Sequence, residues 1–299
     1  MTRQLSWHPL RQTILPLILI VLLLSACSAI RLGYNQADHV ALWKADDYFD
    51  LDPRQKQEFL ARFDRLYQWH RHEQLPEYAS FLAAARRRIE NGLGREDVIW
   101  FVEGLKTRYR VIANRGAEDA AALLSTLAPA QLAALRRQLD KDNRKFAREN
   151  RLEDSVREQK RARSERTLKQ IRDWTGSLSY EQEQKITAML DDLPMIDQLR
   201  LADRLRRQRE LLRLLELRGS GAAFTEKLRH WLVDWEEGRS PEYDRLLARW
   251  WEQRVRFFVE VERMLTPHQR ANLVHRLQDY IDDCRELSSQ PGQRAAATS

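Results

Sequence analysis

Leu265-Thr266-Pro267-His268-Gln269-Arg270-Ala271-Asn272-Leu273-Val274-His275-Arg276-Leu277 reads as the start of a helix. Thr266 can accept a hydrogen bond from a first-turn N–H, Pro267 suits the first helical position, and Gln269 can reach back to the Thr266 N–H as in a capping box. Leu273 and Leu277 follow at steps of four, so one face of the helix is apolar. The phrase recurs at Leu51-Asp52-Pro53-Arg54-Gln55, Leu127-Ala128-Pro129-Ala130-Gln131 and Leu178-Ser179-Tyr180-Glu181-Gln182. Asp52 and Ser179 are good caps, whereas Ala128 has no side-chain acceptor. Phe59, Leu135 and Ile186 lie four residues beyond each Gln, and Phe63, Leu139 and Leu190 four further on. Intervals of 76, 51 and 87 residues between the four Gln are too irregular for a solenoid. The expectation is an all-α, multi-helix bundle with four related helix starts. Asp52, Gln55, Gln131, Ser179, Gln182, Thr266 and Gln269 are assigned to capping before any ligand.

Working outward, the composition agrees. The 299 residues are 32% charged and 43% hydrophobic, enough to build a core, and hold only 10 Gly and 9 Pro. Disorder and a collagen-like fibre are excluded. Helical periodicity is interrupted at Leu75-Pro76, Asn91-Gly92-Leu93-Gly94, Leu127-Ala128-Pro129, Thr175-Gly176, Leu193-Pro194, Gly219-Ser220-Gly221 and Ser240-Pro241. These breakers predict eight to ten helices over residues 36–287, with a candidate subdivision near 175 and a disordered tail over 288–299. No window alternates at period two long enough to propose a sheet.

Arg3 and Arg11 precede the apolar run from Ile14 to Leu24, about 11 residues long and therefore a signal peptide rather than a span, which needs roughly 20. Leu24-Ser25-Ala26-Cys27 resembles the bacterial lipobox, in which the Cys is acylated and the peptide is cut before it. That resemblance implies residues 1–26 as a removed signal peptide, Cys27 as the lipidated first residue of the mature chain, and 27–35 as a tether. Two or three acyl chains anchor stably where one does not. Ser28 rather than Asp after the Cys implies, by the same resemblance, the periplasmic face of the outer membrane. Loss of Arg3 and Arg11 lowers the formal charge from +7 to +5. Cys284 then has no disulfide partner; on the apolar face with Leu273, Leu277, Tyr280 and Ile281 it is expected to be a buried, inert thiol.

Two resemblances add to this reading. Leu-Thr/Ser-x-x-Gln before an amphipathic helix resembles the motif of the periplasmic stress chaperones Spy and CpxP, all-α cradles that hold unfolded clients. Tyr34-Asn35, Trp43, Asp46-Asp47-Tyr48-Phe49-Asp50-Leu51, Trp69-His70-Arg71, Gln74-Leu75-Pro76 and Asp142-Asn143-Arg144-Lys145-Phe146 resemble a family of uncharacterised proteobacterial lipoproteins, a domain of unknown function. It implies localisation and helical content and brings no chemistry.

Candidate chemistry is sparse. Asp46, Asp47, Asp50 and Asp52 lack the Gly and Glu positions of an EF-hand, and the bland alternative is helix-end capping. His70 and His72, two apart, point about 200° apart on an α-helix; His268 and His275 share a face without a third ligand. HExxH, GxSxG, CxxC and a phosphate-cradling Gly loop are absent from the sequence. No enzyme activity, cofactor or metal is expected. From Arg144 to Arg172 there are 11 Lys/Arg against 5 Asp/Glu. This stretch is read as one basic helix, solvated or presenting Arg144, Lys145, Arg148, Arg151, Arg157, Lys160, Arg161 and Arg163 to lipid phosphate or an acidic client. Leu199 to Arg218 carries a wide Leu face, packed in the core or partly open to a partner, and Trp231, Trp235, Trp250, Trp251, Phe257 and Phe258 suit a core. The functional expectation is a non-catalytic lipoprotein binding protein clients or partners in a chaperone-like or envelope-stress role, without nucleic acid. A scaffold or accessory factor of an envelope assembly machine, and an envelope hydrolase, are the alternatives. The oligomeric state is not legible.

Overall fold

The computed structural model describes residues 25–290, with side chains from residue 30 onward. The apolar run of the signal peptide, the Cys27 side chain and residues 291–299 of the expected tail lie outside the described residues. Every regular element among the described residues is helical. In chain order they are α1 (Ser25–Asn35), α2 (Ala37–Phe49), α3 (Pro53–Trp69), a π-helical turn (His70–Gln74), α4 (Leu75–Glu90), α5 (Arg95–Leu124) and α6 (Pro129–Glu149). They continue with α7 (Val156–Thr175), α8 (Tyr180–Asp191), α9 (Asp197–Glu216), α10 (Ala222–Val233), α11 (Pro241–Met264) and α12 (Pro267–Ser289). The chain is an all-α multi-helix bundle.

Helix α5, 30 residues and so about 45 Å long, packs against α3, α4, α10 and α11. At its C-terminal end Ala117 and Ala121 are fully buried, and their small side chains let α10 lie close against it. Leu135 and Leu139 of α6, Leu215 of α9 and Phe224 and Leu228 of α10 complete that core. At the other end Val98 meets Val255 and Val259 of α11. A further core joins α7, α8 and α11 through Leu168, Ile186, Leu190, Leu193, Phe257 and Val261. Each fully buried Leu, Ile or Phe here contributes about 1.5–3 kcal/mol by leaving water.

The last helix closes the structure on the first ones: α12 runs along α4 and also touches α1 and α7. Contacts therefore cross residue 175 repeatedly, and the packing marks no boundary there. Residues 30–35, expected as part of a tether, are instead a docked helix. The Arg31 guanidinium lies 3.1 Å from Asp283, and the Tyr34 hydroxyl is 2.9 Å from His70 Nδ1.

The expected single basic helix is corrected: α6 ends at Glu149 and α7 begins at Val156. Arg151 takes a left-handed φ of 52°, and the Leu152 N–H turns back to the Ala147 carbonyl at 3.0 Å so that Leu152 can be buried. Ser155 and Glu158 then restart the helix with a capping box, a signal the sequence carried as Ser-x-x-Glu.

Candidate functional site

The four repeated helix starts meet in two pairs. In the first, Gln55 Nε2 donates to Gln131 Oε1 at 3.1 Å while Gln131 Nε2 donates to Gln55 Oε1 at 2.6 Å. In the second, Gln182 Nε2 donates to Gln269 Oε1 at 2.9 Å and the reverse bond is 3.0 Å. Every Oε1 also accepts the N–H of its own cap residue, Asp52, Ala128, Ser179 or Thr266, at 2.8–3.0 Å. Every Nε2 further donates to a main-chain carbonyl of the facing loop: Thr126, Asp50, Met264 and Ser177 respectively. Each amide is thus saturated, and each pair clasps two helix starts together with the loops that lead into them. Asp52, Ser179 and Thr266 also accept the N–H of their Gln, whereas Ala128 leaves the Gln131 N–H to its own carbonyl at 3.0 Å. The four glutamine amides are thus fully engaged inside the protein, while Asp52, Ser179 and Thr266 are exposed and each spend a side-chain oxygen on their helix start.

The other motif residues have comparable duties. Arg71 is 1% exposed and has no carboxylate partner among the described residues. Its guanidinium donates to the carbonyl of Leu287 at 2.7 Å, to Tyr67 Oη at 2.9 Å, to Asn35 Oδ1 at 3.2 Å and to Gln290 Oε1 at 3.4 Å. The negative end of the α12 dipole faces this charge and stabilises it. Burial pushes the Tyr34 hydroxyl well above its usual pKa and lowers that of His70. His72 is exposed, so the two histidines do not converge.

Asp46 accepts the Leu51 N–H at 2.9 Å and pairs with Lys56 at 2.8 Å, and Asp47 accepts from Gln138 at 2.9 Å. Asp50 ends α2 with φ 49° and Asp52 caps α3. Tyr48 donates to Asp142, and burial together with that bond raises its pKa to about 12. Asn143 and Gln208 exchange amide bonds at 2.7 and 3.0 Å, and Arg204 and Arg200 stand over Phe146. Half-buried Cys284 has its thiol pushed up to about 11 by burial first and then by Asp283, so it stays protonated near neutral pH.

The basic stretch is dispersed over both helices. Arg163 is turned inward, donating to the carbonyls of Leu190, Leu193 and Pro194 at 2.6–3.3 Å, and Lys160 donates to that of Asp191 at 2.6 Å. Both cations serve the C-terminal end of α8. Lys145, Arg151 and Arg161 pair along the chain with Glu149, Asp154 and Glu165. Arg144, Arg148 and Arg157 are exposed and make no ion pair among the described residues.

Open apolar surface lies elsewhere, along α9. Leu215 is its one fully buried residue, while Leu199, Leu201, Leu205, Leu211, Leu212 and Leu214 are half-buried and Leu217 is 45% exposed. Three open clefts adjoin it. One of about 610 Å³ lies between α9 and α10, with Leu214, Leu217 and Trp231 among its walls and Arg206, Arg207, Arg213 and Lys227 interleaved with Glu210, Glu226, Asp234 and Glu237 around it. One of about 480 Å³ on the opposite flank is lined by Tyr48, Phe49, Leu139, Phe146, Leu211 and Tyr243, and one of about 470 Å³ by Leu105, Tyr109 and Trp235.

Arg207 borders all three clefts. Its guanidinium sits 4.5 Å from the Trp231 ring centre and donates to the Trp231 carbonyl at 2.9 Å, while Trp231 Nε1 donates back to the Arg207 carbonyl at 3.2 Å. Arg206 bridges Asp203 and Glu210 at 2.7 and 2.8 Å and fixes the rim. His230, Asp234 and Glu237 gather at the mouth of the largest cleft, the imidazole lying 2.9 Å from each carboxylate. Each ring nitrogen therefore faces a carboxylate. Sequence reasoning recognised the wide Leu face of α9; Arg207 and the three-cleft junction carried no sequence signal, because they arise where α5, α6 and α10 converge.

No curated protein and no solved structure matches the chain. A family model described as a family of unknown function (DUF6279) matches residues 47–244, from the acidic end of α2 to the start of α11. That segment includes the first clasp and all of α9 with its clefts, and the chain belongs to this family.

Proposed function

We propose that this is a non-catalytic, lipid-anchored protein of the periplasmic face of the outer membrane that binds protein segments along α9 in a chaperone-like or envelope-stress role. The observation that carries the reading is a Leu-rich helix left half-buried between three open clefts with arginine on their rims. An apolar floor takes up the aliphatic and aromatic side chains of an unfolded or amphipathic segment, and the mixed-charge rim offers pairing to charged residues of either sign. The clefts are wide and shallow, and no nucleophile–base pair or oxyanion-type arrangement faces them among the described residues, so the site fits binding better than turnover. The lipobox-like Leu24-Ser25-Ala26-Cys27 and the resemblance to the Spy and CpxP motif support the compartment and the class.

Aggregation assays with several unrelated unfolded proteins test the proposal. The wild-type chain is expected to keep them soluble, and Leu214→Glu with Leu217→Glu to lose that effect while keeping its helical circular dichroism. A chain that protects nothing yet captures one defined envelope partner would overturn the chaperone-like role in favour of a scaffold. Mutation of Cys27 to Ser should release the protein into the soluble periplasmic fraction, and its retention in membranes would overturn acylation.

A further inference from the structure

We propose that His230, Asp234 and Glu237 form a binding site for a divalent transition-metal ion such as zinc at the mouth of the largest cleft. The site goes beyond the binding role above and does not depend on it. Among the described residues this is the one place where three His, Cys, Asp or Glu side chains bring ligand atoms within 4.8 Å of one another.

The backbone sets the three positions. His230 lies in the last turn of α10, and the Asp234 N–H closes that turn on the His230 carbonyl at 2.9 Å. The Glu237 N–H then donates to the Asp234 carbonyl at 3.0 Å, and Gly238, at φ 72°, lets the chain leave the turn. Three ligands drawn from eight consecutive residues close only short loops, so little loop-closure entropy is lost on binding.

The contacts of the imidazole point to a cation. Its Nδ1 lies 2.9 Å from Asp234 Oδ2, and its Nε2 lies 2.9 Å from Glu237 Oε2. Hydrogen bonds at both places need two N–H groups, and a neutral imidazole has one. The other nitrogen then turns its lone pair toward a carboxylate, acceptor against acceptor, unless a proton or a metal ion joins them. Among the described residues neither carboxylate pairs with Lys or Arg; the imidazole is the partner of both. Basic side chains are nevertheless close by. Glu236, in the same turn, takes Lys106, Arg110 and Arg239 at 3.4–3.7 Å, and Arg206 on the cleft wall is spent on Asp203 and Glu210.

The donor set selects the ion. One imidazole with two carboxylates suits zinc, copper or nickel, whereas magnesium and calcium take oxygen ligands. Ligand atoms bound at about 2.0–2.2 Å stand roughly 3–3.5 Å apart. Closing to that spacing from at most 4.8 Å takes only rotation of three exposed side chains on a fixed turn. Three protein ligands leave at least one coordination position open, and all three residues line the largest cleft.

The test uses the untagged chain from residue 27 to residue 299 carrying Cys27→Ser and Cys284→Ala, so that neither thiol takes metal. Stripped with a chelator and titrated calorimetrically with zinc chloride, it should bind one ion per chain, and zinc should raise its Tm because the ion binds the folded turn. His230→Gln, Asp234→Asn and Glu237→Gln should each weaken the affinity by at least about tenfold and remove the rise in Tm, with helical circular dichroism unchanged. His275→Gln, which removes an exposed imidazole 3.8 Å from Asp279, should bind zinc as the parent chain does. A parent chain that binds no zinc would leave a proton as the only cation at the imidazole and would overturn the proposal. Zinc bound with unchanged affinity by all three site variants, or lost from His275→Gln, would place the ion elsewhere and overturn it equally.

Discussion

The two glutamine clasps make a quantitative prediction because they share one design, with Gln182 the one of the four glutamines that is not buried. Gln55 is 2% exposed, and its amide accepts from Asp52 N–H and donates to Gln131, to the Thr126 carbonyl and to Thr126 Oγ1. Gln55→Ala removes these bonds and leaves the Thr126 carbonyl and one Gln131 donor without their partner in a dry site. A net hydrogen bond is worth about 0.5–1.5 kcal/mol and a stranded buried group costs about 1–3 kcal/mol, so the loss should be about 3 kcal/mol. Gln131→Ala should cost a similar amount. Once one partner is gone the other has less to lose, and the double variant should fall short of the sum by about 1–2 kcal/mol. Gln182 in the second clasp is only half-buried, where water can replace a lost partner, so Gln182→Ala should cost about 1–2 kcal/mol. Urea unfolding of these three single variants and the Gln55/Gln131 double variant measures all of this. Strict additivity within the first clasp, or a larger loss for Gln182→Ala than for Gln55→Ala, would refute the reasoning.

Other outcomes follow from individual sites. Gly104→Ala places a Cβ within 2.6 Å of Phe81 Cζ, and that ring is held by Phe101 and by the Arg108 guanidinium 3.7 Å above it. Overpacking of about 1–3 kcal/mol should outweigh the gain of about 1 kcal/mol in helix propensity, so thermal unfolding should shift downward. Because burial lowers the pKa of His70 below its ordinary 6.5, the unfolded chain binds the proton first. Stability should therefore fall as pH drops below 6.5 and stop falling below the folded pKa, and this component should be missing from the Tm-versus-pH curve of His70→Gln. Arg254 lies 4.6 and 4.7 Å from the Phe257 and Phe258 ring centres without an ion pair among the described residues, and burial pushes its pKa to about 10. Arg254→Met should leave Tm unchanged or raise it, and a marked fall would contradict the view that this charge is costly where it sits.

The sequence by itself determined that the chain is helical, where most helices begin, and which residues start them. Those properties depend on contacts within a few residues: a cap, a proline at the first position, a glutamine three further on, and an apolar face at steps of three and four. Local readings failed where a buried side chain overrode them. Leu152 draws the backbone back on itself between two basic segments that read as one helix, and Arg31 and Tyr34 dock residues that the lipobox resemblance implied as a tether. The pairing of Gln55 with Gln131 and of Gln182 with Gln269 belongs to the tertiary structure alone. The four starts are nearly alike, and only the packing around α5 and α12 decides which of them face each other. The clefts along α9 have the same origin: periodicity gives the width of an apolar face, but how much of it stays open is set by the neighbours that the rest of the chain brings to it.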